Sequence, residues 1–198
     1  TTEKIKVYIE KASGNNVIIA NNIPLGEFLA LSAHGLSMIV EKAGSTSAMC
    51  VIANGAIELG ENEHIKIELE GLKALVTYQV NSVEFPVFAQ RTFKFDRKTL
   101  NTDETARKFE VTGYDLLHIS GVDAVEQMDI TYENGRINKL LNAEILALAE
   151  FEDPAFLVKD GLIDQHPVSS VVFPLDMVRS LDIQKSNAKA VNLTLLSK

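Results

Sequence analysis

The chain has 198 residues, of which 46% are hydrophobic and 23% charged, with a formal net charge of −8 at pH 7. A chain of this length forms one large domain or two small ones and buries roughly 70% of its unfolded surface, so it needs no disulfide or metal staple. The acidic balance counts against a nucleic-acid partner, and every apolar run falls far short of the ~20 residues that cross a bilayer.

The N-terminal TTEKIKVYIEK lacks a basic start, an apolar core and a small-residue cleavage site, so a soluble protein made in the cytoplasm without a visible export signal is expected. Ile5, Val7 and Ile9 alternate with Lys4, Lys6 and Glu10, the period of a half-buried strand, and Ser13 to Asn16 offers a turn into VIIA. NNIPLGEFLALSAHG places Pro24 near a helix start and Gly35 beyond its end, which predicts a helix of about ten residues. Cys50 lies in the apolar run AMCVIA and reads as a buried thiol used as a small hydrophobe.

HIKIELEG puts Ile65, Ile67 and Leu69 on one strand face and His64, Lys66, Glu68 and Glu70 on the other, and LKALVTYQV is expected to return as its antiparallel partner. VEFPVFAQRTFKF is β-rich, but Pro86 cannot donate to a ladder and marks an edge or a bulge. The polar stretch 98–108 is the best candidate for a long connection or subdomain boundary, within an expected single domain 1–198.

In ITYENGRINKLL, Asn134-Gly135 between β-prone flanks predicts a hairpin with a type I′ turn and positive φ at both residues. LNAEILALAEFED reads two ways. Its odd positions are apolar, as in a strand, while Leu141, Ile145 and Leu148 form a helical stripe; its alanines and leucines favour helix. FPLDMVRSL repeats the proline-start signal at Pro174 and predicts a short helix, and AVNLTLL reads as a closing strand.

Roughly ten to twelve short strands with turn signals near ten-residue spacing, and two or three short helices, predict a mainly β protein. The expected architecture is an antiparallel β-sandwich, jelly-roll-like, because a parallel α/β sheet would need a helix between most strands.

The sequence holds no Gly-rich phosphate loop, His-Glu-x-x-His pair, Gly-x-Ser-x-Gly elbow or Cys-x-x-Cys, so no catalytic residue, cofactor or metal site is assigned. The histidines, His34, His64, His118 and His166, stand at least thirty residues apart, and only tertiary structure could gather them. Glu68 and Glu70 would project about 7 Å apart from one strand face, a weak glycosidase-like pair whose ordinary role is to solvate that face. Glu152 and Asp153 before Pro154 are minor calcium-ligand candidates, and Asp164 and His166 lack a visible nucleophile. The sequon Asn192 to Thr194 reads as a chance tripeptide.

Charge is distributed unevenly. Residues 91–108 carry six basic side chains, Arg91, Lys94, Arg97, Lys98, Arg107 and Lys108, against three acidic ones, a net of +3. Residues 111–164 carry three basic and eleven acidic, a net of −8, with Asp123, Glu126 and Asp129 as the candidate acidic patch. These fields neutralise each other either within one subunit or between like subunits in a head-to-tail contact. Phe93 and Phe95, flanked by Arg91 and Arg97, resemble a base-stacking platform, but alternation with charged residues is what a half-buried strand shows.

The reading favoured at this level is a non-enzymatic self-assembling structural protein, most concretely a capsid or shell subunit of a virion, with like subunits as partners. A carbohydrate-binding or carbohydrate-active β-sandwich is the alternative, disfavoured by the absence of Trp. A nucleic-acid-binding module is the second alternative.

Overall fold

The computed structural model describes residues 3–33, 39–42, 45–48, 50–82, 88–89, 91–152, 157–159, 162–164 and 170–198. In chain order the elements are β1 (Lys4–Glu10), β2 (Val17–Pro24), α1 (Leu25–Ala33), β3 (Ile39–Lys42), β4 (Ser45–Ser47), β5 (Ala56–Ile57), β6 (His64–Glu70) and β7 (Phe88–Ala89). There follow β8 (Lys94–Leu100), β9 (Ala106–Glu110), β10 (Leu116–Ser120), β11 (Val125–Tyr132), β12 (Ile137–Leu141) and α2 (Asn142–Glu152). The chain ends with β13 (Leu157–Lys159), β14 (Leu162–Asp164), β15 (Ser170–Pro174), β16 (Val178–Lys185) and β17 (Val191–Ser197).

Two four-stranded sheets, ordered β15-β10-β17-β8 and β12-β11-β16-β9, form the sandwich. Every pairing within them is antiparallel. The chain passes between the sheets at almost every step and only β11 and β12 are consecutive neighbours, which is the eight-strand jelly roll. Residues 98–108 run from the end of β8 through Asn101–Thr105 into β9 and so join one sheet to the other.

Burial explains why the central strands are nearly all apolar. Leu117 and Ile119 of β10, Val171 and Phe173 of β15, and Leu193 and Leu195 of β17 face the second sheet, meeting Phe109, Met128, Ile130, Leu181 and Ile183. The opposite face of the same sheet carries Phe95, Leu116, Val172 and Leu196, buried under α1 and the β1–β2 hairpin against Ile5, Val7, Ile23 and Phe28. The rings of Phe28 and Phe95 stand 4.7 Å apart and tilted at 41°. Phe93 and Phe95 are each only 3% exposed, so they are core side chains, not a stacking platform.

A third sheet, β2-β1-β6, lies outside the sandwich; β1 meets β6 in an unbroken seven-residue antiparallel register. Two smaller sheets, β14-β13-β3-β4 and β5-β7, include parallel pairings of β13 with β3 and of β5 with β7. α2 is the helix that the Ala and Leu content favours. Ile145 is fully buried in the sandwich core, and the Glu144 carboxylate accepts a 2.8 Å hydrogen bond from the Leu141 N–H at the helix start.

Three expectations need correction. FPLDMVRSL is not a helix: Ser170–Pro174 is strand β15, Met177 turns with φ 59°, and β16 begins at Val178. The alternation of Leu181 and Ile183 with Asp182 and Gln184 prevails over the proline signal because β16 is clasped between β11 and β9. LKALVTYQV is not a strand: residues 72–80 run outside any sheet, with Leu75 at φ 66° breaking the extended run, and β6 is paired instead with β1. The hairpin at Asn134-Gly135 is present, but only Gly135 has positive φ (82°). The Gly135 N–H bonds the Tyr132 carbonyl at 3.0 Å and the Tyr132 N–H bonds the Arg136 carbonyl at 2.9 Å, which makes a three-residue loop with a bulged glycine and not a type I′ turn. Pro86 lies outside the described residues.

Candidate subunit interface

The six basic residues cluster at one side of the sandwich. β8 pairs only with β17 and β9 only with β16 among the described strands, so both are sheet edges, and Lys94, Arg97, Lys98, Arg107 and Lys108 lie along them. Each finds a partner in its own chain. Arg91 donates to Ser197 Oγ at 3.0 Å, Lys94 pairs with Asp96 at 2.8 Å, and Lys98 donates to the Glu110 carbonyl while lying 5.8 Å from the Tyr114 ring centre. Arg107 reaches the Thr99 carbonyl at 3.3 Å and Glu104 at 3.4 Å, and Lys108 stands 3.8 Å from Glu110.

The acidic residues lie on and beside β11. Asp123 is held by Lys189 at 2.7 Å, Asp129 by Lys139 at 3.4 Å, and Glu126 is exposed. Strand register brings Lys139, Asp129, Asp182 and Lys108 into one row across the outer face of the second sheet. Lys108 and Asp129 are therefore two strand spacings, about 10 Å, apart. Members of both charged groups thus share one face.

Arg97 belongs to a different constellation, which sequence reasoning missed. On the sheet face beneath α1, His118, Thr194 and Arg97 form one cross-strand row, and Ser120, Asn192 and Thr99 form the next. Glu27, in the first turn of α1, sits over them with its side chain only 11% exposed. Its carboxylate accepts from Thr194 Oγ1, from Ser120 Oγ at 3.1 Å and from Arg97 Nε at 3.3 Å. Thr99 Oγ1 donates to Asn192 Oδ1 at 2.9 Å, so the sequon asparagine is part of this polar layer. A nearly buried carboxylate with three donors holds the helix to the sheet at a defined angle, because leaving any of them unpaired costs free energy.

Tyr114 and Asp96 make a second partly buried pair. The Tyr114 hydroxyl donates to Asp96, and burial together with that bond pushes the phenol up to about 12. Burial opposes ionisation of Asp96, yet hydrogen bonds from Lys94 and Tyr114 hold its carboxyl below the usual range. Beside them a cleft of about 310 Å³ is lined by Arg91, Tyr114, Asp115, Glu133, Asp176 and Ser197, a mixed-charge wall with three carboxylates around one guanidinium.

No protein-family model matches the sequence, and no curated protein matches it. Among solved structures the chain is similar to the major capsid protein P2 of bacteriophage PM2, at TM-score 0.49 and 10% identity over 99% of this chain and 82% of that one. It is also similar to AlgX of Pseudomonas aeruginosa, at TM-score 0.27 and 13% identity over 52% of this chain and 25% of that one.

Glu68 is engaged by Tyr8 at 2.7 Å and Lys6 at 3.1 Å on the outside of the third sheet, with Glu70 opposite Lys4. Those bonds from Tyr8 and Lys6 hold the Glu68 carboxyl below its ordinary range, the opposite of what a general acid needs. Cys50 packs against the core under α1, and burial pushes its thiol up, away from the reactive thiolate. Asp153, His34 and His166 lie outside the described residues, and among the described residues no three His, Cys, Asp or Glu side chains gather for a metal. No helix of the described residues is long and apolar enough to cross a membrane.

Proposed function

We propose that the chain is a non-enzymatic, self-assembling structural protein, a shell subunit of the kind that builds a virion. The observation that carries this reading is the eight-strand jelly roll whose interior between the two sheets is filled with apolar side chains. Jelly rolls serve as capsid subunits, lectins and cupins, and the fold by itself does not choose among them. A cupin-type site needs polar ligands between the sheets; here Phe109, Leu117, Met128, Leu181 and Leu193 fill that space. A lectin grips sugar faces with Trp and Tyr, and this chain contains no Trp.

A head-to-tail contact between the basic edge and the acidic face of β11 would suit such an assembly. Lys94 and Lys108 offer the contact side chains that are 62% and 54% exposed, against 49% for Arg107 and 33% for Arg97. Glu126 is the exposed acid facing outward for the partner.

Light scattering across a wide range of protein concentrations tests the reading, with a discrete large particle as the expected result. Lys94→Glu with Lys108→Glu should weaken assembly, and Glu126→Lys should partly restore it. A strict monomer that binds oligosaccharide supports the carbohydrate alternative instead. An assembling double variant that has lost single-stranded nucleic acid binding points to the nucleic-acid module.

A further inference from the structure

β6 is an edge strand built to be paired. Among the described residues it has β1 on one side and no strand on the other, so one row of its backbone N–H and C=O groups is open. Natural edges are blunted by proline, by bulges, by charged side chains or by covering elements. Over its length β6 has neither proline nor bulge, since its sequence, HIKIELE, holds no Pro or Gly and its register with β1 is unbroken; its charges, Lys66, Glu68 and Glu70, are of both signs and so can be met by a complementary strand. Its apolar face continues the buried stripe of β1, Ile5 beside Leu69, Val7 beside Ile67 and Ile9 beside Ile65, and then stops in solvent with Ile65 37% and Ile67 41% exposed.

The sequence of β6 also says what would complete it. Read antiparallel against itself about Ile67, HIKIELE sets His64 opposite Glu70, Ile65 opposite Leu69 and Lys66 opposite Glu68, with each relation repeated by symmetry. The neighbour that β6 already has displays the same logic. β1 is KIKVYIE, and its register sets Lys4 against Glu70, Ile5 against Leu69, Lys6 against Glu68, Val7 against Ile67 and Glu10 against His64. A second β6 resembles β1 at most of these positions, with Glu70 where β1 has Glu10, His64 where it has Lys4, and an aliphatic residue at each inward position. On the outer face the charges do pair at this register, Lys6 with Glu68 at 3.1 Å and, diagonally, Lys66 with Glu10 at 3.1 Å.

We propose that β6 is a homotypic docking edge, on which the β6 of a second copy of this chain pairs antiparallel about a two-fold axis through Ile67. The product is a continuous six-stranded sheet, β2-β1-β6 followed by the same three strands of the partner in reverse. Apolar rows run unbroken through it, and Lys66 of each copy faces Glu68 of the other. Main-chain hydrogen bonds supply the affinity and the side-chain pairs fix the register, as in strand addition generally. An isologous contact of this kind closes on itself as a dimer, whereas the charged head-to-tail contact propagates. The proposal deepens the self-assembly reading and rests on the same surface-exposed partner, a like subunit.

Charge complementation tests it on the full chain. Lys66→Glu alone sets glutamates against glutamates, and Glu68→Lys alone sets lysines against lysines. Each should raise the dimer dissociation constant by about tenfold or more in sedimentation velocity. Mixed together, the two variants should form a heterodimer, because each then meets its opposite. Circular dichroism confirms that each variant is folded. In a Cys50→Ala background, Ile67→Cys should give a disulfide-linked dimer on mild oxidation, and Ile65→Cys, which faces Leu69 of the partner, should not.

Singles that dimerise like the parent, or a mixture that stays monomeric, overturn the strand contact. If larger particles still form in those variants, the shell reading stands without it. If Ile67→Cys links cleanly and no particle beyond the dimer appears, the strand contact stands and the shell reading falls.

Discussion

Gly121 has no room for a side chain, and replacing it with alanine gives a quantitative test of the packing between strands. It precedes the 3-10 turn from β10 into β11 with φ 80° and ψ 27°, in the left-handed region. A Cβ built there lies 2.6 Å from the Ala190 carbonyl oxygen, whereas ordinary contacts begin near 3.4 Å. That oxygen is backbone, immediately before Val191 of β17, whose side chain is fully buried, so it cannot swing away without moving a core strand. Gly135 is a natural control, since its φ is 82° and a Cβ there meets nothing within 4 Å. Gly135→Ala should carry the left-handed penalty alone, about 1 kcal/mol. Gly121→Ala should carry that plus the overpacking of a core strand, roughly 2 to 4 kcal/mol in all. For a chain of this size each kcal/mol moves the melting temperature by about 2–4 °C. Urea unfolding measures the difference directly, as a larger drop in midpoint for Gly121→Ala at unchanged slope. Equal midpoints for the two alanine variants would refute the close approach of Gly121 to Ala190.

Gly135→Val places a β-branched residue in the same left-handed turn and should cost roughly 1 to 3 kcal/mol in the same assay. Glu27→Ala leaves Arg97, Ser120 and Thr194 without their common acceptor, and should lower stability by about 1 to 3 kcal/mol while Glu27→Gln, which keeps acceptor oxygen, loses less. Tyr114 gives a pH dependence: the unfolded phenol ionises near 10 and the folded one near 12, so the unfolded state holds fewer protons between those values and stability falls as pH rises through that window. Tyr114→Phe should remove that alkaline loss in pH-dependent melting. A chelator should leave the melting temperature unchanged, and Cys50→Ala should lower it through lost packing without altering assembly in light scattering.

Local periodicity made much of the fold legible. Ile5, Val7 and Ile9 in β1 alternate because one side of that strand faces a core, and Val191, Leu193 and Leu195 in β17 alternate with Asn192 and Thr194 of the polar layer under α1. β10 is harder to read: LLHIS is buried on both faces, since it lies between two cores, and only its neighbours in space reveal that. Residues 72–80 look like a strand because their apolar content is high, but Leu75 at φ 66° turns the chain out of the extended conformation that a ladder needs. Pro174 resembles a helix start because proline suits both a first helical turn and the end of a strand. The polar layer around Glu27 was out of reach, as it joins residues 27, 97, 120 and 194 through strand order that no local pattern encodes. The basic stretch was visible by composition, whereas its many bonds within the subunit depend on the β8 and β9 edges lying side by side.

The two proposed contacts respond to salt in different ways, and that difference follows from how each surface is built. Lys94 and Lys108 are exposed cations that already have an acid from their own chain at 2.8 and 3.8 Å, so a partner's acid adds only the residual attraction of a partly neutralised pair. Such attraction is screened over about 8 Å at physiological ionic strength and should fade further as salt rises. The β6 contact joins a row of backbone hydrogen bonds to the burial of Ile65 and Ile67, and neither depends on counterions. Its charged flank, Lys66 against Glu68, fixes the register: a matched exposed pair adds little affinity, whereas a reversed charge sets like against like and opposes pairing. Raising sodium chloride should therefore dissolve particles into dimers, and sulfate, which strengthens apolar burial, should keep the dimers intact. Dimers that dissociate with added salt at the same rate as particles would mean that charge holds both contacts, and the apolar stripe of β6 would then need another occupant.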